Sequence, residues 1–231
     1  MINNPFFERL ALLTGEEGLE KLSKTSVLVF GLGGVGSWAA EALVRCGVGK
    51  IGIIDNDVVC ASNVNRQVEA TSLTIGQPKA SALKKHLLEI NPECDITAWD
   101  ELFCRENAKQ FNIEKADYII DAIDSLNHKM DLIEITFAAN VKLFSSMGMA
   151  LKMDPSRLRT GSVWKTDVCP LARFVRQGLR KRGFKGDFTT VYSLEQPVKC
   201  EQTRNFGSIV TVTASAGFLL ADLVLHDILS N

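Results

Sequence analysis

Val27 to Asp57 reads VLVFGLGGVGSWAAEALVRCGVGKIGIIDND, and this stretch decides the fold. An apolar run ends in Gly31, Gly33 and Gly36; an amphipathic helical pattern follows, and a second apolar run ends in Asp55. The pattern is G-x-G-x-x-G between a strand and a helix, with an acid about 20 residues on. Glycines permit a tight turn and close backbone approach, and the free N–H groups of the following helix suit a phosphate. Asp55 suits a ribose hydroxyl. These residues indicate a nucleotide without saying which one.

The surrounding pattern extends the reading to an α/β, Rossmann-like, doubly wound and mainly parallel sheet. Strands are expected at 27–30, 51–54, 95–99, 117–121 and 141–145. Helices are expected at 35–46, from Pro78 to about Glu89, at 104–111 and at 126–139. An amphipathic arm at 6–22 precedes the first strand. An irregular C-terminal extension covers 153–205: one or two strands within 153–166, a basic helix at 171–182 and a short strand at 190–193. The apolar stretch 208–229 reads as a buried strand and helix. Asp222, His226 and Asp227 interrupt it, so no transmembrane segment is expected. The 231 residues are taken as one domain, 1–231.

Composition narrows the class. With 46% hydrophobic and 23% charged residues the chain can bury a full core, and a net charge of -1 gives no global pull toward nucleic acid or membrane. The start, MINNPFFERL, carries no secretory pattern, and the six cysteines form no C-x-x-C pair, so a reduced, cytoplasmic protein is expected. Charge is concentrated locally instead. Lys165 to Lys185 holds seven Lys/Arg and one Asp, with Arg173, Arg176 and Arg180 spaced for one helix face. Such a face can track RNA phosphates; the alternative is a solvated helix face.

The loops after the strands separate the nucleotide classes. A hydride-transfer enzyme needs one acid after the second strand and little else. Here Asp55-Asn56-Asp57 is followed by Ser62-Asn63-Val64-Asn65-Arg66-Gln67 and then Lys79. Arg66 offers a planar fork and Lys79 a point charge, which suit a triphosphate. The alternative for Lys79 is a solvated lysine at a helix start. Asp124, after the fourth strand, can hold Mg²⁺ against phosphate oxygens. Its alternative is a helix cap, which Ser125 could equally supply.

The ordered motifs GLGGVG, D-x-D, SNVNRQ, G-x-x-K and DAID resemble the ThiF/MoeB/HesA adenylating enzymes, relatives of ubiquitin-activating enzyme. Members transfer AMP from ATP to a carboxylate. The resemblance implies that Gly31, Gly33, Gly34, Gly36, Asp55, Asp57, Asn63, Gln67, Arg66 and Lys79 bind ATP. Arg66, Lys79 and Asp124 would act on the phosphates, Asp124 through Mg²⁺. Arg9 would reach the ATP of a partner subunit in a homodimer.

Within the family, T-x-x-x-PLAR-x-VR-x-x-LRKRG, VYSLEQP and TVTASAGF resemble the branch that dehydrates threonylcarbamoyladenosine beside the tRNA anticodon. The branch implies tRNA as substrate, with Arg173, Arg176, Arg180, Lys181 and Arg182 on the RNA. It also implies sulfur-transfer proteins of the cysteine desulfurase system as partners. Two rivals remain: adenylation of the C-terminal glycine of a sulfur-carrier or ubiquitin-like protein, and an NAD-dependent oxidoreductase. The missing C-x-x-C pairs count against the first, and Cys169 stands where the dehydratase branch often has Asp. Cys200 is the cysteine best placed to react, although ring closure within the substrate needs no enzymic nucleophile.

Overall fold

The computed structural model describes residues 4–198 and 206–230, so Cys200 lies outside the described residues. Seven strands form one sheet in the order β3-β2-β1-β4-β5-β7-β6. They are β1 (Ser26–Phe30), β2 (Lys50–Ile54), β3 (Asp95–Trp99), β4 (Tyr118–Asp121), β5 (Lys142–Ser146), β6 (Leu158–Ser162) and β7 (Thr189–Ser193). All pairings are parallel except β6 against β7 at the edge. The strand order reverses between β1 and β4, and ligand crevices open at such a reversal.

Alternation along the strands builds a core on each face. Val27, Val29, Ile51, Ile53 and Ile120 face one way, onto α2 (Gly36–Arg45), α3 (Lys79–Ile90) and α6 (Val210–Ser230). Leu28, Phe30, Ile54, Ile119 and Leu143 face the other way, onto α4 (Leu126–Ala138), α5 (Pro170–Lys181) and Phe103 and Phe111. The N-terminal arm is α1 (Glu8–Lys24), broken at Gly15, where φ is 69°.

Two expectations need correction. The stretch 104–111 is not an α-helix; only a 3₁₀ turn at Ala108–Phe111 forms. Asn107 accepts from the Cys104 N–H and donates to the Leu102 carbonyl, so its side chain takes bonds a helix would need, and Asn112 at φ 49° ends the turn. The stretch 208–229 contains no strand; it becomes the single helix α6 despite its β-branched start. There the Thr213 hydroxyl donates back to the Ile209 carbonyl at 3.3 Å, and packing on α2 overrides strand propensity. The stretch 153–166 yields one strand, β6, within the expected one or two.

By length and hydropathy α6 could cross a membrane, yet Val212, Ala216, Leu220, Val224 and Ile228 are buried in the first core.

Candidate active site

Above the reversal between β1 and β4 lies a cavity of about 810 Å³. Its rim follows from the glycine loop. Gly31 has φ 86°, and a Cβ there would stand 2.7 Å from the Ala122 carbonyl oxygen; one on Gly36 would stand 1.9 Å from the Gly31 carbonyl oxygen. Only glycine fits either position. Gly33 and Gly34 line the cavity, and Gly34 is held close between Arg66 and Thr213 of α6. No side chain caps the start of α2; the Ser37 N–H donates to the Gly33 carbonyl at 3.2 Å and the Ala39 N–H to the Val35 carbonyl at 3.0 Å, and the positive end of the helix dipole still favours an anion here.

Asp55, at the end of β2, accepts from the Leu32 N–H at 2.6 Å and the Asp57 N–H at 2.8 Å. These bonds aim it at the glycine loop, and a carboxylate keeps lone pairs for a ribose. Asn63 caps its turn by accepting from the Cys60 N–H at 2.9 Å. Arg66 donates to the Ser62 carbonyl and to Asn65, and its own carbonyl accepts from the Trp38 indole N–H at 2.9 Å. Gln67 lines the cavity, and its buried Oε1 has no partner among the described residues.

Lys79 is not a solvated helix-start residue. It is 5% exposed and donates to Asp57 at 2.9 Å, while its backbone N–H donates to the Asp57 carbonyl. Behind it lies Glu69, only 2% exposed, with neither carboxylate oxygen hydrogen-bonded among the described residues. Burial pushes the Glu69 carboxyl up to about 7, with Asp55 pushing the same way and Lys79 opposing.

Asp124 lines the cavity, exposed, with no hydrogen bond among the described residues. Ser125 is the N-cap of α4, and its side chain makes no capping bond. No group of three His, Cys, Asp or Glu side chains gathers for a metal among the described residues. The donor chemistry therefore fits a hard cation held by one carboxylate, phosphate oxygens and water, as Mg²⁺ commonly is, and does not fit a protein cage.

Part of the wall opposite the glycine loop was not singled out from sequence. The wall comprises Met147 to Lys152 after β5 and Cys169 to Leu171 at the start of α5. The rule that parallel strand ends face the crevice was the available signal for MGMALK. Two non-glycine residues here have left-handed backbones, Leu151 (φ 60°) and Val168 (φ 63°), each at a cost of order 1–3 kcal/mol. Buried Asp121 lies beneath, paired with Lys129 at 2.7 Å and accepting from Ser145 at 2.6 Å.

Other candidates lie elsewhere. Arg9 is exposed on α1 and does not line this cavity. On α5, Arg173, Arg180 and Lys181 are exposed; Arg173 lies over Phe174 and Arg180 over Trp164, at 5.1 and 5.3 Å from the ring centres. Arg176 is half-buried and donates to the Thr166 hydroxyl. Arg182, just past α5, pairs with Asp131 and Glu134 of α4, which Arg105 also meets.

Comparison with known proteins agrees with this geometry. Residues 7–229 match the model of the ThiF family. The chain is 43% identical over 192 residues to the Bacillus subtilis tRNA threonylcarbamoyladenosine dehydratase, covering 83% of this chain and 76% of the relative. The Escherichia coli enzyme of that name is 33% identical over 250 residues, covering 97% and 93%. The solved structure of the Escherichia coli dehydratase in complex with AMP superposes with a TM-score of 0.93 at 33% identity, over 100% of this chain and 97% of that one. The same enzyme in complex with ATP superposes with a TM-score of 0.90 at 34% identity, over 97% and 93%.

Proposed function

The chain belongs to the ThiF family, and we propose that it is an ATP-dependent tRNA threonylcarbamoyladenosine dehydratase. One observation carries the reading. The likeness to the dehydratases covers the whole chain, including β6, α5 and β7, which lie outside the nucleotide-binding half.

The chemistry follows from the cavity. The threonyl carboxylate attacks the α-phosphorus of ATP, forming an acyl-adenylate and releasing pyrophosphate. The neighbouring carbamoyl group then closes onto the activated carbonyl, loses its proton and expels AMP. Ring closure is intramolecular, so a high effective molarity replaces an enzymic nucleophile. The positive end of α2, with Arg66 and Lys79, stabilises the charge that develops on the phosphates. Asp55 and Gln67 hold the ribose end. Asp124 would hold Mg²⁺, which supplies further charge neutralisation on the phosphates.

Two further parts of the proposal are the homodimer and the RNA surface. Phe6, Leu12 and Leu13 are exposed on and beside α1, and Leu13 is 86% exposed, which suits an arm covered by a second copy. Arg9 on that arm is then available to a partner's site. The exposed cations of α5 suit the phosphates of a folded RNA.

Mass spectrometry of nucleosides after incubating modified tRNA with protein and ATP tests the activity. Conversion to a product lighter by one water is expected. No conversion, with adenylation of a protein Gly-Gly tail instead, overturns the reading. Asp124→Ala should lower pyrophosphate release by at least about 100-fold with the melting temperature unchanged. Normal release at ordinary Mg²⁺ would leave Asp124 no role on the phosphates.

A further inference from the structure

Lys152 is 2% exposed, lines the cavity, and has no ion pair among the described residues. Its ammonium donates to the Gly148 carbonyl at 2.9 Å. Glu195, the carboxylate that acts on it, is already occupied by the Met153 and Asp154 N–H groups at 2.9–3.0 Å. Burial pushes the Lys152 ammonium below its ordinary range, with Cys169 and Glu195 opposing. A buried cation without a counterion is costly unless an anion arrives.

The surroundings of Lys152 are built to receive one. No side chain caps α5 at Cys169, and Pro170 is its first residue. Gly148 brings this helix start onto the lysine loop: a Cβ on Gly148 would lie 3.4 Å from Leu171 and 3.6 Å from the Cys169 sulfur. The loop is fixed by main-chain bonds. The Leu151 N–H donates to the Gly207 carbonyl, and the Leu151 carbonyl accepts from the Val198 N–H, both at 2.8 Å. Leu151 and Val168, the two residues here with left-handed backbones, stand next to Lys152 and to the start of α5, where the Cys169 N–H is taken by the Asp167 carbonyl, Pro170 has no N–H, and Leu171 carries the first donor left over.

Position identifies the anion. Lys152 follows β5, which lies two strands from β1 and its glycine loop and three from β2 and Asp55. At about 4.8 Å per strand the lysine loop stands roughly 10 Å along the sheet from the phosphate loop. That distance places it past phosphates held at α2, on the side away from Asp55 and the ribose end.

We propose that Lys152, with the uncapped start of α5, receives the carboxylate of the acyl substrate and holds it for attack on ATP. The assignment rests on the dehydratase reading. The lysine offsets the repulsion between a carboxylate and a triphosphate, a charge that Arg66 and Lys79, at the other end of the cavity, do not neutralise.

The test uses anticodon stem-loop RNA carrying threonylcarbamoyladenosine, and the same RNA with its carboxylate as the methyl ester. Binding is measured without ATP. The wild-type protein should favour the carboxylate by roughly tenfold or more, the range of one charged hydrogen bond. Lys152→Met and Lys152→Gln should both lose that preference, bind the ester as before, and bind ATP within about twofold of wild type by calorimetry. Using two variants exposes a packing defect confined to one. A preference that survives in both variants overturns the assignment. So does its absence in wild type, or a parallel loss of ATP binding. Dehydration of the carboxylate RNA by wild type with ATP is measured alongside: if it is present, a failed preference sinks Lys152 alone, and if it is absent, the dehydratase reading falls and the assignment with it.

Discussion

Two buried acids under the same cavity have opposite circumstances. Asp121 is fully buried with Lys129 at 2.7 Å, and Ser145 and the Ile123 N–H complete its bonds. Lys129→Ala strands the carboxylate in the core and should cost about 3–5 kcal/mol in urea unfolding. Glu69 has no hydrogen-bond partner among the described residues, and its carboxyl is raised from 4.5 to about 7. Between those values the folded protein holds a proton that the unfolded chain releases, so this contribution to stability falls as pH rises from 4.5 through 7. In the absence of ATP, Glu69→Gln should raise the melting temperature at pH 8, by an amount worth about 1–3 kcal/mol, and change it little near pH 4.5. A variant with the wild-type slope would show that Glu69 is not the titrating group. Neither circumstance was fully legible in the sequence. Asp121 sits in a recognisable strand end, but Glu69 lies in Val-Glu-Ala-Thr, where nothing local reports that α2 and α3 bury it. Its burial depends on contacts across the fold.

At the scale of the element, α5 was the most readable helix outside the nucleotide half, since its period is plain. Ala172, Val175 and Leu179 are buried, while Arg173 and Arg180 face out. Its ion pairs were not readable: Arg182 is tied to Asp131 and Glu134, some fifty residues earlier in the chain. The exposed cations of α5 without an ion pair among the described residues are therefore Arg173, Arg180 and Lys181. Reversing these three charges should weaken tRNA binding and make the log–log salt slope shallower by about 2–3, with ATP affinity unchanged. Filter binding at several salt concentrations measures this, and an unaltered slope moves the RNA surface elsewhere. The glycine loop was legible because its geometry admits no other residue. The stretch 104–111 and the start of α6 were misread because Asn107 side-chain bonds and packing on α2 decide them, and local propensity does not.

At the scale of the whole molecule, the exposed Leu12 and Leu13 on α1 give the proposed homodimer a direct test. Leu12→Asp with Leu13→Asp should yield a monomer by light scattering and a large loss of activity, since Arg9 can no longer reach a second site. A fully active monomer refutes the composite site. The order of the chain has a further consequence, through α6. The nucleotide loop at 31–36 is synthesised well before its brace, α6 at Val210–Ser230. Gly217 of α6 lies so close to Val35 that an added Cβ would approach the Val35 carbonyl oxygen to 2.4 Å, and Thr213 backs Gly34. Trp38 and Phe218 meet edge to face at 5.7 Å, and the Asn65 amide donates to the Ser208 carbonyl at 2.8 Å. A nascent chain on the ribosome therefore carries an unbraced phosphate loop until residues 208–218 have left the exit tunnel. Chains stalled before that point should not retain ATP.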